Sequence, residues 1–192
     1  MRHPRSRSPG RGRLLSSLFG ACLLLLFLSS VAHAELIEER RQEVLDQAST
    51  YHVEEILGPT TVLLMDYQSL MRVEFELYGV LTTGDPDINE AAQTELLRLL
   101  IGKLVHLIVV EELPYSQLPR RAGYLFYADC WFNAASSLIE RGLLLTDENL
   151  DHWLLGEYQR LQTFAQDHAI GYWGDYEVPQ SPIHFADWVP TE

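Results

Sequence analysis

Residues 72–77 alternate strictly: Val73, Phe75 and Leu77 are apolar, while Arg72, Glu74 and Glu76 between them are charged. That is the period of a strand with one buried and one wet face. Two apolar runs precede it. Residues 51–57 (YHVEEIL) end at the turn signal Gly58-Pro59, and residues 61–67 (TVLLMDY) lead into a hairpin loop at residues 68–70. The third strand is predicted over residues 72–80 and is broken by Gly84 and Pro86. A helix follows, N-capped by Asn89, carried by Ala91, Leu96, Leu97, Leu100 and Ile101, and stopped by Gly102. Residues 103–112 read as a strand, residues 122–132 as a hairpin, and residues 133–142 as a helix bounded by Asn133 and Gly142. A last helix opens at Thr146 or Asp147 and runs towards His168, with Gly156 as its weak spot. Residues 174–192 hold three prolines and no periodicity, and either wrap the domain or dangle from it. The pattern predicts an α+β domain with a small sheet and about three helices.

The first 34 residues stand apart. Arg2, Arg5, Arg7, Arg11 and Arg13 form a basic stretch, residues 14–32 are apolar or small, and Val31-Ala32-His33-Ala34 closes the segment. This is the pattern of a cleaved Sec-type signal peptide, with Glu35 as the first mature residue and export to a periplasm or the exterior. The alternative is an uncleaved N-terminal membrane anchor, since the apolar run is close to the ~20 residues that span a bilayer. After cleavage no stable span is expected. Residues 35–50 then form a charged arm, either a short helix or a loose segment.

Charge sharpens the picture once the leader is set aside. Five of the chain's 14 basic residues lie in it and none of the 27 acidic ones, which leaves 9 against 27 and a formal charge of −18. Lys103 is the only lysine. Nucleic-acid affinity comes largely from phosphate neutralisation by Lys and Arg, so tight binding of a polyanion is not expected. Cys130 is the only cysteine after residue 34. It cannot close an internal disulfide, which leaves a buried apolar thiol or an intermolecular bridge.

Five segments together carry a resemblance: residues 58–64 (GPTTVLL), 72–84 (RVEFELYGVLTTG), 90–107 (EAAQTELLRLLIGKLVHL), 120–145 (RRAGYLFYADCWFNAASSLIERGLLL) and 161–173 (LQTFAQDHAIGYW). In order and spacing the chain resembles the staphylococcal-nuclease-like (thermonuclease) family over residues 51–173. The resemblance implies a five-stranded OB-type β-barrel with about three helices. It also implies the family's chemistry, in which Ca²⁺ held by acids, a Glu that handles water and two Arg cleave phosphodiesters.

Position by position, that chemistry is mostly missing. The family's Asp-Gly-Asp-Thr turn is matched by residues 58–61, so its ligand acid falls on Pro59 or Thr60. The stretch Arg-Leu-Ile-Gly-Ile-Asp-Ala-Pro-Glu is matched by residues 76–84: the Arg becomes Glu76, the second ligand becomes Leu81, and the base becomes Gly84. Glu at an arginine position inverts the charge that would stabilise the transition state. Arg121, beside Arg120, is the one catalytic position the resemblance retains. Asp85 and Asp87 lie just past the lost acids and are the candidate replacement ligands, with Asp66 or Glu76 in reach after a loop shift. Their other reading is a solvated turn that starts the following helix.

Other groupings are weaker. No two histidines have zinc-site spacing, and His106 reads as a strand residue with its hydrogen bond satisfied. Asp151-His152 and Asp167-His168 are expected on an exposed helix. The aromatics Tyr124, Phe126, Tyr127, Trp131, Phe132, Trp153, Tyr172, Trp173 and Trp188 are expected mainly to pack the core and tail. The expected function is an exported, non-catalytic binding or scaffold module for a protein or small ligand, with no cofactor. The alternative is a divergent Ca²⁺-dependent nuclease or phosphodiesterase.

Overall fold

The structure, a computed structural model, describes residues 44–114 and 117–174 together with Glu38 and Gln42. The leader, most of the arm and residues 175–192 lie outside them. The chain divides into residues 1–43 and 44–192, and the architecture below belongs to the second unit.

From residue 49 on, eight strands and three α-helices follow in order among the described residues: β1 (Ser49–Ile56), β2 (Thr61–Asp66), β3 (Arg72–Leu77), β4 (Val80–Leu81), α1 (Pro86–Leu100), β5 (Leu104–Leu113), β6 (Arg120–Tyr127), β7 (Phe132–Asn133), α2 (Ala134–Glu140), β8 (Leu145–Thr146) and α3 (Leu155–Asp167). A 3₁₀ turn, Gly171–Trp173, follows. β1, β2 and β3 form an antiparallel meander, β1 also pairs with β5, and β5 with β6. β6 then returns to lie parallel to β3, with Glu74 opposite Arg120 and Leu77 opposite Gly123. That last pairing closes a five-stranded OB-type barrel and leaves none of its five strands as a free edge. β4 and β8 form a separate two-stranded sheet.

Strand periodicity explains the interior. Val73, Phe75 and Leu77 of β3 are buried against Val62 and Leu64 of β2, Tyr51 and Val53 of β1, Val105 and Leu107 of β5, and Leu125 of β6. In β1 the buried residues Val53 and Ile56 are three apart, which breaks the two-residue period. A bulge between Val53 and Glu55 absorbs the extra residue and returns Ile56 to the core.

α1 starts four residues before the expected point. Asp85, not Asn89, is its N-cap: Oδ1 accepts from the amides of Asp87 (2.9 Å) and Ile88 (3.4 Å), and Pro86 opens the first turn. Asp-Pro supplies both a capping oxygen and a ring already at helical φ, a stronger start than Asn89. Ile88, Ala92, Glu95, Leu96, Leu99 and Leu100 form its buried stripe, while Leu97 and Ile101 are exposed. α2 begins at its expected cap, with Asn133 Oδ1 accepting from Ser136 N at 2.9 Å. It ends with Gly142 in the left-handed region (φ 62°) and Leu143 N donating to Leu138 O. α3 starts at Leu155 rather than Thr146 or Asp147. Asp147 Oδ1 instead closes a local turn by accepting from Asn149 N, so its oxygen is not available to a helix start. Gly156 consequently sits in the first turn of α3, where it weakens little.

A charged cluster is buried in this apolar frame. Glu95 of α1 makes a bidentate pair with Arg98 (2.6 and 2.7 Å), and Arg141 at the end of α2 lies 3.3 Å from Glu95 Oε1. Glu95 and Arg141 are both buried. No described helix is long and apolar enough to cross a membrane.

Candidate functional site

Of the positions singled out in the sequence, Thr60 and Glu76 fall on one wall of the barrel, where the start of β2, the end of β3 and the start of β6 meet. Thr60 accepts from Leu77 N through its carbonyl (2.9 Å), and Thr61 stands opposite Glu76. Glu74 and Glu76 point outward, as strand alternation requires. Arg120 reaches over both, its Nε 3.3 Å from Glu74 Oε2 and its Nη2 3.6 Å from Glu76 Oε2. The guanidinium next to Glu76 is therefore already balanced by two carboxylates.

Arg121 is not part of that wall. Successive strand residues face opposite sides, so Arg121 turns towards the barrel end where β1 begins. There its Nη1 donates to the Tyr51 hydroxyl at 3.0 Å, and its Nε lies 2.9 Å from Glu112 Oε1. Burial raises the Tyr51 phenol above its ordinary range, and the Arg121 charge acts against that rise. Asp66, at the same end, accepts from the amides of Gln68 and Ser69, which hold its carboxyl below the usual range.

Leu81 is half-exposed in β4, opposite Leu145. Gly84 adopts φ 79°, and beyond it Asp85 is occupied as the α1 cap, while Asp87 is exposed in the first turn. The structure thus puts Asp85 and Asp87 at a helix start and Arg121 at the barrel end. Carboxylate-held Ca²⁺ does not fit Thr60, Leu81 and Gly84, which offer no carboxylate. Among the described residues, no three His, Cys, Asp or Glu side chains group as a cation site.

A different cluster lies just behind this wall. His152, expected on an exposed helix, instead occupies the turn before α3 and is half-buried. Its ring lies among Tyr78, Tyr124 and Tyr158, with centroids 5.8, 6.0 and 5.2 Å away. Its Nδ1 is 3.2 Å from the Tyr124 hydroxyl. Gly79 (φ 77°) backs the ring so closely that a Cβ there would lie 2.4 Å from His152 Nε2. Burial lowers the His152 pKa from its ordinary 6.5, against the opposing pull of Asp151 and Asp147. Nothing local in the sequence pairs Gly79 with His152, 73 positions apart by their numbers. His106 is a strand residue of β5 with Nδ1 3.3 Å from Thr50 Oγ1, and Cys130 is buried.

Of the aromatics, Tyr124, Phe126 and Tyr127 are buried, whereas Trp131, Trp153 and Tyr172 are about half-exposed. Trp153 covers the edges of Tyr124 and Phe126. No protein-family model matches this sequence, and no curated protein is similar to it. The class is accordingly defined by the fold: an α+β protein built on a closed OB-type barrel.

Proposed function

We propose that this chain is an exported, staphylococcal-nuclease-like barrel that serves as a binding or scaffold module without phosphodiesterase activity. The observation that carries the reading is the Glu74–Arg120–Glu76 arrangement on the outer wall. A phosphate needs uncompensated positive charge at that place. Here two carboxylates already neutralise Arg120, and Arg121 is engaged with Tyr51 and Glu112. The −18 balance after residue 34 adds long-range repulsion of any polyanion. The OB barrel supports a binding role by analogy with other barrels of its kind, which is a weaker warrant than the charge arrangement.

The test is incubation of the purified chain with single-stranded DNA and with RNA in millimolar Ca²⁺, beside Arg120→Ala and Arg121→Ala variants. The expected result is no cleavage by any of the three, with native circular dichroism throughout. Metal-dependent cleavage that falls in either variant would reinstate the divergent nuclease, with Asp85 and Asp87 as its replacement ligands.

A further inference from the structure

The His152 cage is used by nothing in the reading above, and its chemistry points to regulation. The Tyr124 hydroxyl, 3.2 Å from Nδ1, is the hydrogen-bond partner of that ring nitrogen. In the neutral ring one nitrogen carries hydrogen and the other does not, so one such partner at Nδ1 suffices for either tautomer. Nε2 is enclosed and has no hydrogen-bond partner, pressed against the Gly79 backbone. An imidazolium carries hydrogen on both nitrogens, so a second proton would leave a charged N–H at Nε2 buried without an acceptor.

The surroundings add little to stabilise a cation. Tyr78 after β3, Tyr124 on β6 and Tyr158 on α3 face the ring as uncharged phenols. The acids that act on it, Asp147 and Asp151, come from its own segment, and the effect of burial exceeds theirs. The ring also joins two parts of the fold. Asp147 N donates to Gly79 O at 3.0 Å, beside the β4–β8 pairing of Val80 with Thr146 and Leu81 with Leu145. The loop that leaves β3 is therefore held to the turn before α3 with His152 wedged between them.

We propose that His152 and its tyrosine cage form a pH-sensitive latch: protonation of the ring in mild acid expels it and releases residues 78–81 from the segment that precedes α3. Release uncovers the Tyr78 and Tyr124 rings and frees Trp153, already half-exposed, to move. Below the midpoint the ratio of open to latched molecules rises about tenfold per pH unit, one proton being taken up.

Near-ultraviolet circular dichroism of the full chain from about pH 7.5 to about pH 4.5 tests this, since it reports aromatic packing in the range where histidine titrates. The expected result is a single-proton change with a midpoint below 6.5, while the far-ultraviolet signal holds. His152→Gln and His152→Phe should abolish it. Tyr124→Phe removes the hydrogen-bond partner of Nδ1 and should move the midpoint, which keeps the proposal testable if the His152 variants do not fold. No aromatic change before global acid unfolding, or a change that persists in the His152 variants, overturns the latch. So does an unmoved midpoint in Tyr124→Phe.

Discussion

Gly79 and Gly84 lie five residues apart, both in the left-handed region, with φ 77° and 79°. Alanine at Gly84 meets open space, so it should cost only the backbone term of about 1–2 kcal/mol. Alanine at Gly79 pays that term and must also displace His152. Gly79→Ala should therefore be the more destabilising by at least about 1 kcal/mol, as overpacking usually is, which paired urea melts would show. Equal losses would mean that the ring yields freely. Stability should depend on pH for the same reason. The folded-state pKa of His152 is lowered, so its contribution is full above 6.5 and is lost as pH falls through the lower folded value. The arginines make a related point at this scale. Arg120 and Arg121 are adjacent in sequence, yet strand alternation sends one to Glu74 and Glu76 and the other to Tyr51.

At the level of elements, the helices are tied to each other by polar side chains. Glu95 joins α1 to the end of α2 through Arg141, and Tyr158 of α3 donates to Asn133 Oδ1 at the start of α2. Glu95→Ala deletes the buried carboxylate that Arg98 and Arg141 share, so a loss of about 3–5 kcal/mol is expected in chemical denaturation. A loss below about 1 kcal/mol, the range of an exposed pair, would show that water reaches the group. The strands were legible because a barrel wall has two unlike faces, and Val73, Phe75 and Leu77 record that directly. Helix starts were less so. Asp85 and Asp147 are both capping residues by type, but one caps α1 and the other closes a turn with Asn149. Chain direction after the residue decides between them, and that depends on what the helix packs against.

For the whole molecule, the reading of residues 1–34 is the one to measure first. If residues 1–34 are a signal peptide, intact-mass measurement on protein from exporting cells should find a chain beginning at Glu35. Recovery of the uncut chain from membranes would instead make the leader an anchor and tether the barrel to the bilayer surface. The OB-type closure does not itself confer activity, because the barrel is a frame on which sites differ. Here the frame carries compensated charges on its wall and a histidine cage behind it.

Sequence alone determined the α+β class, the barrel strands, the Asn133 cap and the absence of carboxylates at Thr60, Leu81 and Gly84. Each follows from residue type or from a period of two or 3.6, which neighbouring residues dictate. Only the tertiary structure decided the parallel β3–β6 closure, the division of Arg120 from Arg121, the buried Glu95 and the His152 cage. These depend on groups far apart in the chain meeting at a few ångströms. Such meetings are fixed by how the strands and helices pack, and no local pattern records them.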